Sequence, residues 1–162
     1  MPVKPIPDGY TSVAPYLFVD DAKAAIAFYK RAFDAADHGL IQTPDGRVAH
    51  GELKIGDTVV RLCDNLPIFE PKAPKELGGT TVEIFLFVED VDATVRQAEA
   101  SGATVLAEPT NQFWGDRLAR VKDPFGHLWE IASRIEDLSP AEIDARAKAL
   151  FSTAGSAPAG GR

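Results

Sequence analysis

The sequence predicts an α+β protein made of two copies of a βαβββ unit. A repeat carries this prediction, because residues 16–21 read YLFVDD and residues 85–90, an offset of 69 further on, read FLFVED. Both segments are typical of a buried strand that runs into an acidic helix start. The same offset relates residues 59–62 to residues 128–131 at the other end of the unit. We therefore expect a strand, a helix and about three strands in each half.

Each predicted helix begins after an aspartate and has one apolar face. Asp21 and Asp90 are the expected N-caps. Gly102 lies after the second helix, where a residue in the left-handed conformation is expected to end it. The apolar positions recur at helical spacing. They are Ala22, Ala25, Ile26, Tyr29 and Phe33 in the first helix, and Val91, Val95 and Ala98 in the second.

The remaining strands follow each helix. In the first half we predict strands over 48–55 and 58–63, joined by a two-residue hairpin turn at Gly56 and Asp57. In the second half the turn at 123–126 precedes the last strand. The strands predicted there are 103–107, 117–122 and 127–133.

The length of the chain and the positions of its prolines and glycines predict one domain over residues 1–137. The proline-rich stretch 65–79 reads as a linker between the units, and Ser139 with Glu142 forms a capping box that opens a further helix. The expected segments are module one at 11–64, module two at 80–134, a C-terminal helix at 138–151 and a disordered tail at 152–162.

Composition excludes several classes of function. The net charge of −7 argues against binding to a nucleic-acid backbone. The longest apolar run has six residues, against the roughly 20 that a membrane span needs, and we expect no signal peptide at the start of the chain. The lone Cys63 forms no intramolecular disulfide and excludes a cysteine zinc cage. We expect a soluble, cytoplasmic protein that binds neither nucleic acid nor membrane.

Five short motifs resemble those of the vicinal oxygen chelate superfamily, which includes glyoxalases, bleomycin resistance proteins and extradiol dioxygenases. They cover about residues 11–134 and are found at 15–29, 44–50, 78–80, 113–117 and 123–127. The resemblance is nearest to the small bacterial glyoxalase/bleomycin resistance branch, in which dimers are common. It implies that the curved, mixed sheet of each module forms half of a cup around a small-molecule site.

The resemblance also implies where a metal would bind. Members that use a metal place two ligands in each module, at positions that correspond here to Ala14, Arg61, Glu83 and Glu130. Only module two has a ligating residue at both positions, because alanine cannot bind a metal and arginine has no lone pair to donate. The usual metal site is therefore expected to be incomplete.

Strand alternation predicts which side chains face the cup. A two-residue turn at 56–57 places Arg61 opposite Glu52 and Cys63 opposite His50. The expected floor consists of His50, Glu52, Arg61, Cys63, Glu83 and Glu130. The aromatic walls are Tyr16, Phe18, Phe85 and Phe87, and the loop that forms the pocket rim in the family supplies Gln112, Trp114 and Arg117.

The leading functional hypothesis is a small-molecule-binding protein without a cofactor, which holds or sequesters an organic ligand over Arg61, Glu83 and Glu130. Arg61 pairs with Glu52, Glu83 or Glu130 and neutralises it, and a remaining carboxylate serves as a general acid or base or binds a cationic group. One alternative is a metal-dependent lyase, isomerase or dioxygenase that binds Zn, Ni, Fe or Mn through His50, Glu83 and Glu130. Another is a non-catalytic, dimeric interaction module. Whether the protein is an enzyme stays open, and a homodimer is expected.

Overall fold

Two four-stranded mixed sheets, one from each half of the chain, form the framework of the computed structural model, which describes residues 3–68, 70 and 72–154. The strand orders are β1-β4-β3-β2 and β5-β8-β7-β6, which confirms two βαβββ modules. The first half comprises β1 (Tyr16–Val19), α1 (Ala22–Ala32), β2 (Ala36–Gln42), β3 (Val48–Ile55) and β4 (Thr58–Asp64). The second comprises β5 (Glu83–Phe87), α3 (Val91–Ala100), β6 (Thr104–Asn111), β7 (Asp116–Lys122) and β8 (Leu128–Arg134). Two further helices are α2 (Pro74–Leu77) and α4 (Pro140–Ala154).

The repeat found in the sequence is also a repeat in three dimensions. Tyr16 pairs with Arg61 in the parallel β1–β4 ladder, and Phe85 pairs with Glu130 in the parallel β5–β8 ladder. Asp21 and Asp90 cap α1 and α3, as the sequence predicted, by accepting a hydrogen bond from the backbone N–H three residues later. The two modules therefore have the same register between their first and last strands.

The hairpin between β3 and β4 has the predicted two-residue turn. Ile55 pairs with Thr58, and Glu52 lies directly opposite Arg61. Gly56 has φ +58°, in the left-handed region that residues with a Cβ rarely adopt. This register brings Glu52 and Arg61 to one face of the first sheet.

A single core lies between the helix-bearing sides of the two sheets. α1 and α3 contact each other, and the ring of Trp129 on β8 packs 4.7 Å from the ring of Phe33, just after α1. Buried residues of β1, β3 and β4 join those of β7 and β8 in this core. The other face of each sheet, which carries the predicted floor residues, therefore faces away from the core.

Four segments differ from the prediction. The strand β2 was missed because all seven of its residues are exposed at the sheet edge, so its sequence shows no apolar alternation. The predicted linker contains the short helix α2, and β6 extends to Asn111 rather than ending at 107. α4 continues to Ala154, beyond the predicted end at 151. The rest of the predicted disordered tail, residues 155–162, lies outside the described residues.

None of the helices in the described part of the chain is long and apolar enough to cross a membrane.

The buried carboxylate of Asp123 should contribute strongly to stability. It accepts hydrogen bonds from the Tyr29 hydroxyl (2.6 Å), the Trp129 indole (3.0 Å) and the backbone N–H groups of Phe125 and His127 (both 2.9 Å). Asp123→Asn replaces an acceptor oxygen by an N–H donor that faces other donors. We expect the free energy of unfolding, measured in urea, to fall by about 3 kcal/mol.

The exposed Asp137→Asn is the control and should change stability by less than about 0.5 kcal/mol. Equal stabilities of the two variants would show that the core does not depend on a charged acceptor at position 123.

Candidate functional site

The outward face of the first sheet is organised around the carboxylate of Glu52. Its Oε2 accepts a hydrogen bond from the Tyr10 hydroxyl (2.6 Å), and its Oε1 accepts one from Arg61 Nε (3.1 Å) and lies 3.2 Å from His50 Nε2. Only 12% of the Glu52 side chain is exposed. Burial acts to raise the pKa of Glu52, but the hydrogen bonds from Tyr10, His50 and Arg61 outweigh it and lower the pKa. Of the three partners predicted for Arg61, the structure selects Glu52.

Aromatic rings cover the next part of this face. The Tyr16 and Phe18 rings stack with centroids 5.2 Å apart, and Tyr16 Oη lies 3.1 Å from His50 Nδ1. Burial, with a smaller contribution from the neighbouring Cys63, raises the pKa of Tyr16 to about 12. Burial also raises the pKa of the Cys63 thiol, which is fully buried, so this cysteine is not an activated nucleophile.

On the outward face of the second sheet, one arginine holds two carboxylates. Arg120 on β7 forms an ion pair with Glu83, and its Nε lies 3.8 Å from Glu130 Oε1. The Phe85 and Phe87 rings lie 4.9 Å apart on the same face and are 46% and 58% exposed. This cluster has two negative charges and one positive charge beside exposed aromatic surface.

Sequence reasoning missed Arg120 and Tyr10. Arg120 is paired directly with Glu130, and Lys122 with Leu128, across the turn at 123–126. The turn at 123–126 sets the register of β7 and β8, so the position of Arg120 opposite Glu130 could be predicted from the sequence in the same way as that of Arg61 opposite Glu52. Tyr10 precedes β1 and reaches Glu52 across a separation of 42 residues, which no local pattern encodes.

The predicted metal ligands are not brought together. His50 contacts Glu52 and Tyr16 on the first sheet, whereas Glu83 and Glu130 surround a guanidinium on the second. No group of three or more His, Cys, Asp or Glu side chains within the described residues is arranged to hold a metal ion. A divalent cation between Glu83 and Glu130 would compete with a permanent cation, so these two carboxylates within one chain do not fit a metal.

The predicted rim residues have separate partners. Trp114 Nε1 donates to the buried Asp116 (2.9 Å), and Gln112 Nε2 donates to the Thr110 carbonyl (3.2 Å). Arg117 donates two hydrogen bonds of 2.7 Å to Asp92 on α3. Alternation along β7 directs Arg117 to the opposite face from Arg120, and this moves Arg117 out of the cup.

A cavity of about 710 Å³ adjoins the aromatic part of the first sheet. Tyr16 and Phe18 line it together with Ile84 of β5, linker residues around α2, and His127. The Nε2 atom of His127 lies 3.3 Å from the Phe18 carbonyl oxygen, and burial lowers the pKa of this histidine. His127 is therefore held against the backbone of β1 at the edge of the cavity.

The pKa of Glu52 predicts how stability depends on pH. Because folding lowers this pKa, ionised Glu52 stabilises the fold above the ordinary carboxyl range, and that contribution is lost as the pH falls through the folded-state value. We expect the difference in unfolding free energy between the wild type and Glu52→Gln to be largest near pH 7 and to shrink below about pH 4. Urea unfolding across this range measures it.

Glu99→Gln, which removes an exposed carboxylate on α3, is the control and should show no such dependence. If the difference in unfolding free energy between the wild type and Glu52→Gln does not change with pH, the stabilising role assigned to ionised Glu52 is wrong.

Comparison with known proteins agrees with the fold and with the position of the modules. Residues 10–131 match the sequence model of the glyoxalase/bleomycin resistance protein/dioxygenase superfamily. An uncharacterised protein of Mycobacterium tuberculosis is 42% identical over 137 residues, which cover 83% of this chain and 81% of the relative. TioX from Micromonospora sp. ML1 is similar in structure, with 26% identity and a TM-score of 0.62 over 77% of this chain and 99% of TioX. So is a gene product of Arabidopsis thaliana, with 32% identity and a TM-score of 0.59 over 76% and 98% of the two chains. The chain therefore belongs to the glyoxalase/bleomycin resistance protein/dioxygenase superfamily.

Proposed function

We propose that this protein binds a small organic ligand carrying an aromatic ring and a positive charge, and that it does so without a metal. The observation that carries the proposal is the exposed aromatic pair Phe85 and Phe87 beside a cluster in which Glu83 and Glu130 share a single arginine. The family assignment supports a small-molecule site.

Exposed aromatic surface supports the aromatic part of the ligand. Tyr16, Phe85 and Phe87 are between 38% and 58% exposed, although each lies on a strand whose neighbouring positions face the core. Large apolar side chains that remain uncovered next to each other are typical of binding surfaces. The cavity of about 710 Å³ that Tyr16 lines is within the range for small-molecule sites.

The charge balance supports a cationic group on the ligand. Arg120 is close to Glu83 but lies 3.8 Å from Glu130, so the charge of Glu130 is the less well compensated of the two. A ligand ammonium group near Glu130 would also meet the faces of neighbouring aromatic rings, which attract cations. Arg120 occupies the space between the carboxylates, which supports binding of an organic cation rather than a divalent metal.

We propose further that a second copy of the chain completes each cup. The core fills the space between the helix-bearing sides of the sheets, so the outward faces of one chain do not cover each other. On the first face Arg61 balances Glu52, and the second face has an excess of one negative charge, so the two unlike faces can meet without the repulsion that two copies of the second face would have. A homodimer pairs the first face of one copy with the second face of the other.

Binding of benzyltrimethylammonium tests the ligand proposal, because this probe combines a ring and a permanent charge. We expect Glu130→Gln to weaken its binding about five-fold, as followed by NMR titration, because the variant removes the least compensated carboxylate. A chelator should leave the affinity unchanged.

Glu99→Gln again serves as the control, since it removes the same charge from an exposed position on α3 instead of from an outward sheet face. If both variants weaken binding of the probe equally, the attraction depends only on the net charge of the protein and not on Glu130. No binding to the wild type would contradict the proposed function.

Light scattering coupled to size-exclusion chromatography tests the proposed assembly. We expect the mass of a dimer, and we expect Phe85→Asp to shift the protein to monomer by placing a charge on the exposed aromatic face. A wild-type monomer would contradict the shared cup. Circular dichroism of the variant shows whether its fold is retained.

A further inference from the structure

We infer that Tyr16 presents a hydrogen-bond acceptor to the bound ligand, so that the ligand contacts it through an N–H or O–H group. The inference rests on the proposed function and adds to it a criterion for which ligands bind. It is carried by a chain of three side chains on the first sheet, Tyr16, His50 and Glu52.

The chain begins at Glu52, whose two oxygens both act as acceptors. Oε1 accepts from the guanidinium of Arg61, which has no acceptor of its own, and Oε2 accepts from the Tyr10 hydroxyl. A carboxylate in this position has no proton to donate to His50. The Nε2 atom of His50, 3.2 Å from Oε1, therefore carries the hydrogen of this contact.

The second link follows from the chemistry of a neutral imidazole. When Nε2 carries the only ring proton, Nδ1 has a lone pair and accepts a hydrogen bond. The atom that lies 3.1 Å from Nδ1 is the Tyr16 hydroxyl oxygen, so the single hydroxyl hydrogen of Tyr16 points to His50. The hydroxyl then faces its surroundings with lone pairs only.

The lone pairs of this hydroxyl stay available to a ligand. The sulfur of Cys63 also lies near the Tyr16 hydroxyl, but a thiol sulfur is a weak acceptor compared with the imidazole nitrogen of His50, so the hydroxyl hydrogen stays with His50. The hydroxyl belongs to a side chain that is 38% exposed and lines the cavity. A ligand carbonyl or ether oxygen placed there would meet another acceptor, whereas an N–H or O–H group would form a hydrogen bond.

Tryptamine and 1-methyltryptamine are the matched probes for this rule. Both carry an aromatic ring and an ammonium group, and they differ in having an indole N–H or an N–CH₃ group. At a pH of about 8, we expect the wild type to bind tryptamine about five-fold more tightly than 1-methyltryptamine. In Tyr16→Phe the two affinities should become equal, because the acceptor is gone.

The comparison of the two probes across the two proteins cancels the steric effect of the methyl group. Failure of both probes to bind the wild type would overturn the proposed function and, with it, this inference. Equal binding of both probes to the wild type, or the same preference in Tyr16→Phe, would overturn the inference alone.

The hydrogen positions are measured independently in the wild type, so the test does not depend on the variant folding. Nitrogen-15 NMR of the His50 ring at the same pH should show the proton on Nε2. A proton on Nδ1 would direct that nitrogen's N–H toward Tyr16 and would overturn the inference.

Discussion

The two-residue turn at Gly56 and Asp57 determines which side of the first sheet each later side chain faces. Because side chains alternate along a strand, a slip of one residue would move Arg61 into the core and direct Leu62 to the outward face. The same register brings Arg61 opposite Glu52 and aligns β1 with β4, so Tyr16 stands beside them. The turn therefore determines the chemistry of the candidate site, although neither of its residues belongs to the site.

The buried contact between the two modules imposes a second constraint, on how the two sheets are arranged. Asp123 precedes β8, yet it accepts a hydrogen bond from Tyr29 of α1, and Trp129 packs against the aromatic residues of the first module. Both sheets are held with their helix-bearing sides together around this buried cluster. Burial of the helices between the sheets leaves the aromatic faces on the outside, where they are available to a ligand or to another chain.

Much of the fold could be predicted from the sequence, because the repeat, the aspartate caps and the first hairpin are local signals. The same alternation placed Arg61, Glu52 and Tyr16 on one face. β2 could not be found in this way, since an edge strand that is exposed along its whole length has no apolar pattern. Tyr10 reaches Glu52 through a long-range contact that only the folded chain defines. The sequence does not select the partner of Arg61 among the three carboxylates, because that choice requires knowing which sheet faces enclose the core.

The position of Cys63 gives the protein an internal reporter. It is the chain's single cysteine, it is completely buried in β4, and the hydroxyl of Tyr16 lies against its sulfur. A thiol reagent reaches it only when β4 or the aromatic residues above it move aside. The rate of labelling of the unmodified protein therefore measures how often the first sheet opens, and a molecule that rests on Tyr16 slows that rate without any engineered probe.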